Sequence, residues 1–92
     1  MATMTARFRS APHVYARRFD HETVLLSLTS GQYFALDDVG GAIWELLTSG
    51  KTLDETVTQL LAEYEVDEAA LCADVQRIAG ELIAAGLLSG PT

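Results

Sequence analysis

The sequence predicts an α+β domain in which a three-stranded antiparallel sheet precedes three helices. Up to Leu36 the apolar residues fall in short runs of β-branched and aromatic side chains divided by turn residues, whereas beyond it they recur at spacings of three and four. Two helix-start signals, at Thr52 and Asp67, divide the helical part, and the first helix opens at the strand exit.

Element by element, His13 to Phe19 and Thr23 to Leu28 read as antiparallel strands joined by the turn sequence Asp20-His21-Glu22. Thr29-Ser30-Gly31-Gln32 supplies a second turn, with Gly31 able to take positive φ, and Tyr33-Phe34-Ala35-Leu36 follows as the third strand. On the edge of the sheet, that strand would offer unpaired N–H and C=O groups to an extended peptide. Asp37 or Asp38 can cap a first helix through Leu47, although Gly40 and Gly41 cost about 1 kcal/mol each relative to Ala. That cost points to close packing of this turn on a neighbouring helix. Thr52-Leu-Asp-Glu55 is a capping box, and Leu53, Val57, Leu60 and Leu61 form the stripe of a second helix ending near Tyr64.

Asp67 caps the third helix, with Val66 and Leu71 as a hydrophobic staple and Gly86 as its stop. Leu71, Val75, Ile78 and Leu82 form its main stripe and face the core. A weaker line of Cys72, Gln76, Ala79 and Ile83 lies about 100° round the helix. Either a neighbouring element covers that line or it walls a groove. Leu87-Leu88-Ser89 can return as a short extended piece. One domain over residues 12–89 results, with residues 1–11 and 90–92 expected as flexible tails.

With 92 residues, 49% of them hydrophobic, the chain supports one core and no second one. No run approaches the roughly 18 apolar residues of a membrane span, and the first residues lack the apolar centre of a secretory signal, so a cytoplasmic location is expected. Cys72 is the only cysteine and has no partner for a disulfide or a thiolate metal site. It reads as a small buried hydrophobe, since a nucleophilic thiol would need a histidine and His13 and His21 both lie in the strand region. The net charge of −7, from 6 basic and 13 acidic residues, argues against nucleic acid and for a basic or neutral partner. Arg7, Arg9, Arg17 and Arg18 all precede the helical part, which holds only Lys51 and Arg77.

Nothing in the chain reads as a catalytic constellation, a metal site or a cofactor cradle. Asp37-Asp38 sits where a cap and a turn belong. Glu63, Glu65, Asp67 and Glu68 lack the glycine and alternation of a calcium loop and read as solvated surface. Trp44 and Tyr64 read as core residues. The glycines at 40 and 41 have no following lysine of the kind a phosphate loop needs.

In their order along the chain, the run from Ser30-Gly31-Gln32-Tyr33-Phe34-Ala35-Leu36-Asp37 through Val39-Gly40-Gly41-Ala42-Ile43-Trp44, Lys51 to Val66 and Asp74 to Leu88 resembles the PqqD-like family. The resemblance covers roughly residues 13 to 88 and implies a winged helix-turn-helix-like peptide-recognition domain, close to the free-standing leader-binding proteins of lasso-peptide clusters. By that resemblance, a precursor's leader would add as a strand to the third strand and lie between it and the third helix. The implied contacts are Gln32, Tyr33, Phe34, Ala35 and Leu36 on the strand, and Cys72, Val75, Gln76, Ala79 and Ile83 on the helix. Alternation allows either Tyr33 and Ala35 or Phe34 and Leu36 to face the cleft. The resemblance implies no enzymatic activity and no cofactor, with the leader peptide, its leader peptidase and a cyclase as partners. A chaperone for the radical enzyme of pyrroloquinoline quinone biosynthesis is the alternative within the family, and a DNA-binding winged helix the alternative outside it.

Overall fold

In a computed structural model, which describes residues 7–90, the strands come first and the helices follow. Strand β1 is Arg9–Ser10, β2 Val14–Phe19, β3 Glu22–Ser27 and β4 Tyr33–Leu36; helices α1 (Asp38–Thr48), α2 (Leu53–Glu63) and α3 (Glu68–Ala84) precede β5, Leu88–Ser89. The main sheet runs β2-β3-β4, all antiparallel, with β3 in the centre. β1 and β5 form a separate two-stranded ribbon, Arg9 opposite Ser89.

That ribbon changes the expected domain boundaries. Of the stretch expected as an N-terminal tail, Arg9–Ser10 form a strand, and Phe8 and Ala11 are buried. The Ala11 N–H donates to the Leu87 carbonyl at 3.0 Å. Gly90 packs so closely on Phe8 that a side chain at position 90 would need Phe8 to move. Residues 1–6 and 91–92 of the expected tails lie outside the described residues.

The core forms where the inner face of the sheet meets the helices. Leu25 on β3 is fully buried with Ile43, Leu47, Leu60 and Val75, and Trp44 is buried among them. Tyr64, expected in the core, is half-buried at its margin, and its hydroxyl donates to Asp38 Oδ2 at 3.4 Å. α1 lies against β3, and there Gly41 finds its reason. A Cβ on Gly41 would collide with the Thr23 hydroxyl, so the close neighbour of this turn is a strand and not a helix as expected.

Each helix start is satisfied by its own side chain. Asp37 caps α1 by accepting from Gly40 N at 2.7 Å. Thr52 and Glu55 complete both halves of a capping box, at 3.0 and 2.9 Å, and Asp67 accepts from Ala70 N at 3.0 Å. The Thr52 N–H that donates to the Glu55 carboxylate holds that carboxyl below its ordinary range against the opposing effect of desolvation, and the positive charges of Arg7 and Lys51 add to the lowering. Because these signals are local, the helix starts follow the sequence expectation closely.

Candidate functional site: an open strand edge beside a groove

A single backbone hydrogen bond fixes which groups of β4 point outward. Ser27 N donates to the Gln32 carbonyl at 2.9 Å, so Ser27 and Gln32 face each other as a hydrogen-bonded pair. Antiparallel strands alternate bonded and non-bonded pairs. From the register, Leu25–Phe34 and Thr23–Leu36 are then bonded pairs, while Leu26–Tyr33 and Val24–Ala35 are not. The N–H and C=O groups of Tyr33 and Ala35 therefore point away from β3. No described strand pairs with that side of β4. No side chain of β4 carries a charge.

The same alternation divides the side chains. Phe34 and Leu36 are half-buried and pack on the core, on the same side as Leu25. Tyr33, 72% exposed, and Ala35 face the opposite side, with Gln32 exposed at the turn. The alternative left open by alternation thus resolves: Phe34 and Leu36 face the helical layer.

β4 runs directly into α1, and α3 packs on α2, α1 and β5 but hardly on β4. The space left between the strand exit and α3 is a groove of about 390 Å³. Its walls are Asp37, Val39 and Gly40 on one side, and Val66, Asp67, Ala70, Leu71, Asp74, Arg77 and Ile78 on the other. The floor is apolar and three carboxylates stand round it. A second depression of about 260 Å³ lies between α1 and α2 under Arg18, lined by Glu45, Gln59, Glu63 and Tyr64 among others. It shares no lining residue with the groove, and Arg18 reaches it from the opposite edge strand of the sheet.

On α3, the residues that the family resemblance implied differ in exposure. Val75 is 0% and Ala79 3% exposed, so both side chains are spent in the core. Cys72 and Ile83 are half-buried and Gln76 is exposed, its amide donating to Cys72 Sγ at 3.4 Å. At 100° per residue, these three lie beyond one side of the buried arc, while Ala70, Asp74, Arg77 and Ile78 lie beyond the other. The groove beside β4 is built from that second flank. Ile78, on the stripe expected to face the core, packs against it and is half-buried at the groove. The only hint in the sequence was position: the groove lies between the cap of α1 and the cap of α3, both recognisable as Asp37 and Asp67.

The arrangement suits binding more than chemistry. Among the described residues no cluster of histidine, cysteine or carboxylates is placed to hold a metal, and no helix is long and apolar enough to cross a membrane. Exposed backbone on an uncharged strand, beside an apolar groove, is the geometry that accepts an extended peptide: main-chain bonds supply affinity and the groove selects side chains.

The family profile described as "Coenzyme PQQ synthesis protein D (PqqD)" matches residues 22–88. Among solved structures, "TbiB1 in Complex with the TbiA(beta) Leader Peptide" is 38% identical with a TM-score of 0.83, over 91% of this chain and 98% of that one. "Lasso peptide synthetase B1 complexed with the leader peptide" is 28% identical, also with a TM-score of 0.83, over 92% and 100% of the two chains. No curated protein matches the chain.

Proposed function

The chain belongs to the PqqD family, and from that premise we propose that it binds the leader segment of a ribosomally made precursor peptide during lasso-peptide maturation. The leader adds as a strand to β4, and the protein delivers it to the leader peptidase and the cyclase. The observation that carries this reading is the outward N–H and C=O of Tyr33 and Ala35 on an uncharged edge strand whose exit, at Asp37, walls the groove. Support comes also from the two similar proteins, both solved with a leader peptide. The role is binding, with no catalytic group required of this chain.

A fluorescein-labelled leader from the precursor gene beside this one, titrated against the wild-type protein and read by anisotropy, tests the reading. Saturable binding is expected. Ala35→Pro removes an outward N–H without touching the ladder to β3 and weakens binding by about tenfold or more. Leu36→Pro would be a poorer probe, because the Leu36 N–H lies on the bonded side facing Thr23. Absence of binding by the wild type removes the reading, and equal binding by a folded Ala35→Pro protein removes strand addition.

The family description supports one second reading, a peptide chaperone for the radical enzyme of pyrroloquinoline quinone biosynthesis. Tighter binding to that pathway's precursor than to a lasso leader would replace the first reading with it.

A further inference from the structure

The groove beyond the end of β4 has a charge pattern that strand addition alone does not use. Its floor is made by Val39, Leu71 and Ile78, and Asp37, Asp67 and Asp74 stand around it. Arg77 is the one cation in the wall, and it is held along its own helix by Asp74 at 3.5 Å and Glu81 at 3.2 Å. Asp37 and Asp67 each use one oxygen in a helix cap, Oδ1 and Oδ2 respectively, which leaves the other oxygen able to accept. The starts of α1 and α3 both open here and contribute roughly half a positive charge each. Together with Arg77 they do not offset three carboxylates, and the chain as a whole carries −7.

Resting on leader binding at β4, we propose that this groove selects leaders in which an apolar residue and an adjacent lysine or arginine flank the segment paired with β4 at its Leu36 end. The apolar side chain covers Ile78 and Leu71, and the cation reaches Asp74 and the free oxygens of the two capping aspartates. An apolar floor with an anionic rim is complementary to that pair of residues, and a leader acidic at the same place is repelled. Its continuity with the β4 edge makes the same peptide the occupant, since a strand leaving β4 past Leu36 enters the groove at Asp37.

The test pairs variants on both molecules, so that folding defects in the protein cannot imitate the result. The probe is the fluorescein-labelled leader of the neighbouring precursor gene, together with the same peptide carrying glutamine in place of its groove-side lysine or arginine. Asp74 is exposed, so Asp74→Asn is expected to keep the fold, checked by circular dichroism. It weakens the native leader about threefold and leaves the glutamine peptide unchanged. Asp74→Lys weakens the native leader about tenfold, and Ile78→Ser, with its thermal melt matched to the wild type, weakens both peptides by a similar factor. Affinity for the native leader unchanged in Asp74→Lys and Ile78→Ser, with Ala35→Pro still defective, overturns the groove assignment and leaves strand addition standing. A leader that binds yet has no cation within a few residues of its strand-forming segment overturns it equally. Failure of the wild type to bind any leader overturns both readings.

Discussion

The sheet has two edges, and they are built differently. β2 runs for six residues, Val14–Phe19, and carries two adjacent arginines; β4 runs for four, Tyr33–Leu36, and carries none. Arg17 lies over the Phe19 ring at 5.4 Å on the outer face. Arg18 reaches across the inner side to α1, where it pairs with Asp38 at 3.2 Å and Glu45 at 2.9 Å. Leu28 N donates to the His13 carbonyl at 2.8 Å, which fixes the parity of the β2–β3 ladder and turns the N–H groups of Ala16 and Arg18 outward. Both edges therefore expose backbone. Only one leaves it free of charge and beside a groove, and cationic side chains on the other are a recognised means of discouraging strand pairing. The difference teaches that hydrogen-bonding capacity alone does not choose the edge; what flanks it does.

The sharpest way to break this comparison is to place the same lesion on each edge. Ala35 and Ala16 both occupy non-bonded pairs with β3, opposite Val24 and Leu25 respectively. Proline at either position removes one outward N–H and spares the internal ladder. Ala35→Pro is expected to lose leader affinity by about tenfold or more, whereas Ala16→Pro binds within about twofold of wild type. Anisotropy titrations of the two variants, with matched thermal melts, decide the matter. Loss of binding in Ala16→Pro alone would move the peptide to β2.

Much of this is legible in the sequence, and the division between what is and is not legible there is physical. Tyr33–Leu36 and the caps Asp37, Thr52 and Asp67 are set by contacts within a few residues, so local chemistry defines them. The β1–β5 ribbon joins Arg9 to Ser89 across nearly the whole chain, and two-residue strands carry no periodicity to detect. On α3 the apolar pattern shows that the buried arc is wide but not which neighbour lies on each side. Cys72 and Ile83 lie on one flank of that arc, and Ala70, Asp74 and Ile78, on the other, wall the groove at the strand exit. The outward groups of Tyr33 and Ala35 depended on the ladder's parity, which one hydrogen bond settles and the sequence does not encode.

A smaller effect follows from moving charge between the edges. Ala35 lies in the same row as Val24 and Arg17 on the outer face, so Ala35→Lys gives β4 the kind of side chain that guards β2. Leader affinity is expected to fall about threefold, chiefly through slower association. The converse change, Arg17→Thr with Arg18→Thr, strips β2 of its cations. Sedimentation velocity should then show concentration-dependent association where the wild type shows less, while leader affinity stays within about twofold. Unchanged sedimentation would mean that length and twist, not the arginines, keep β2 unpaired.

The smallest effect concerns how firmly Arg18 holds the closed edge. Burial pushes the Tyr64 phenol above its usual value near 10, and Asp38 and Glu63 add to that, while Arg18 pulls it back. A group whose pKa is raised in the folded state contributes stability that is present below the unfolded value and is lost as pH rises through the folded one. Tyr64 therefore lowers stability only in alkali, above about pH 10. In Arg18→Ala the ion pairs with Asp38 and Glu45 disappear, and because both are substantially exposed the protein loses about 1 kcal/mol or less at neutral pH. The tyrosinate absorbance step assigned by comparison with Tyr64→Phe then moves to higher pH, since the one favourable cation has gone. Leader binding at β4 should not follow. A titration step that stays in place would show that Arg18 does not sense Tyr64, and a parallel loss of leader affinity would show that the two edges are coupled through α1 rather than independent.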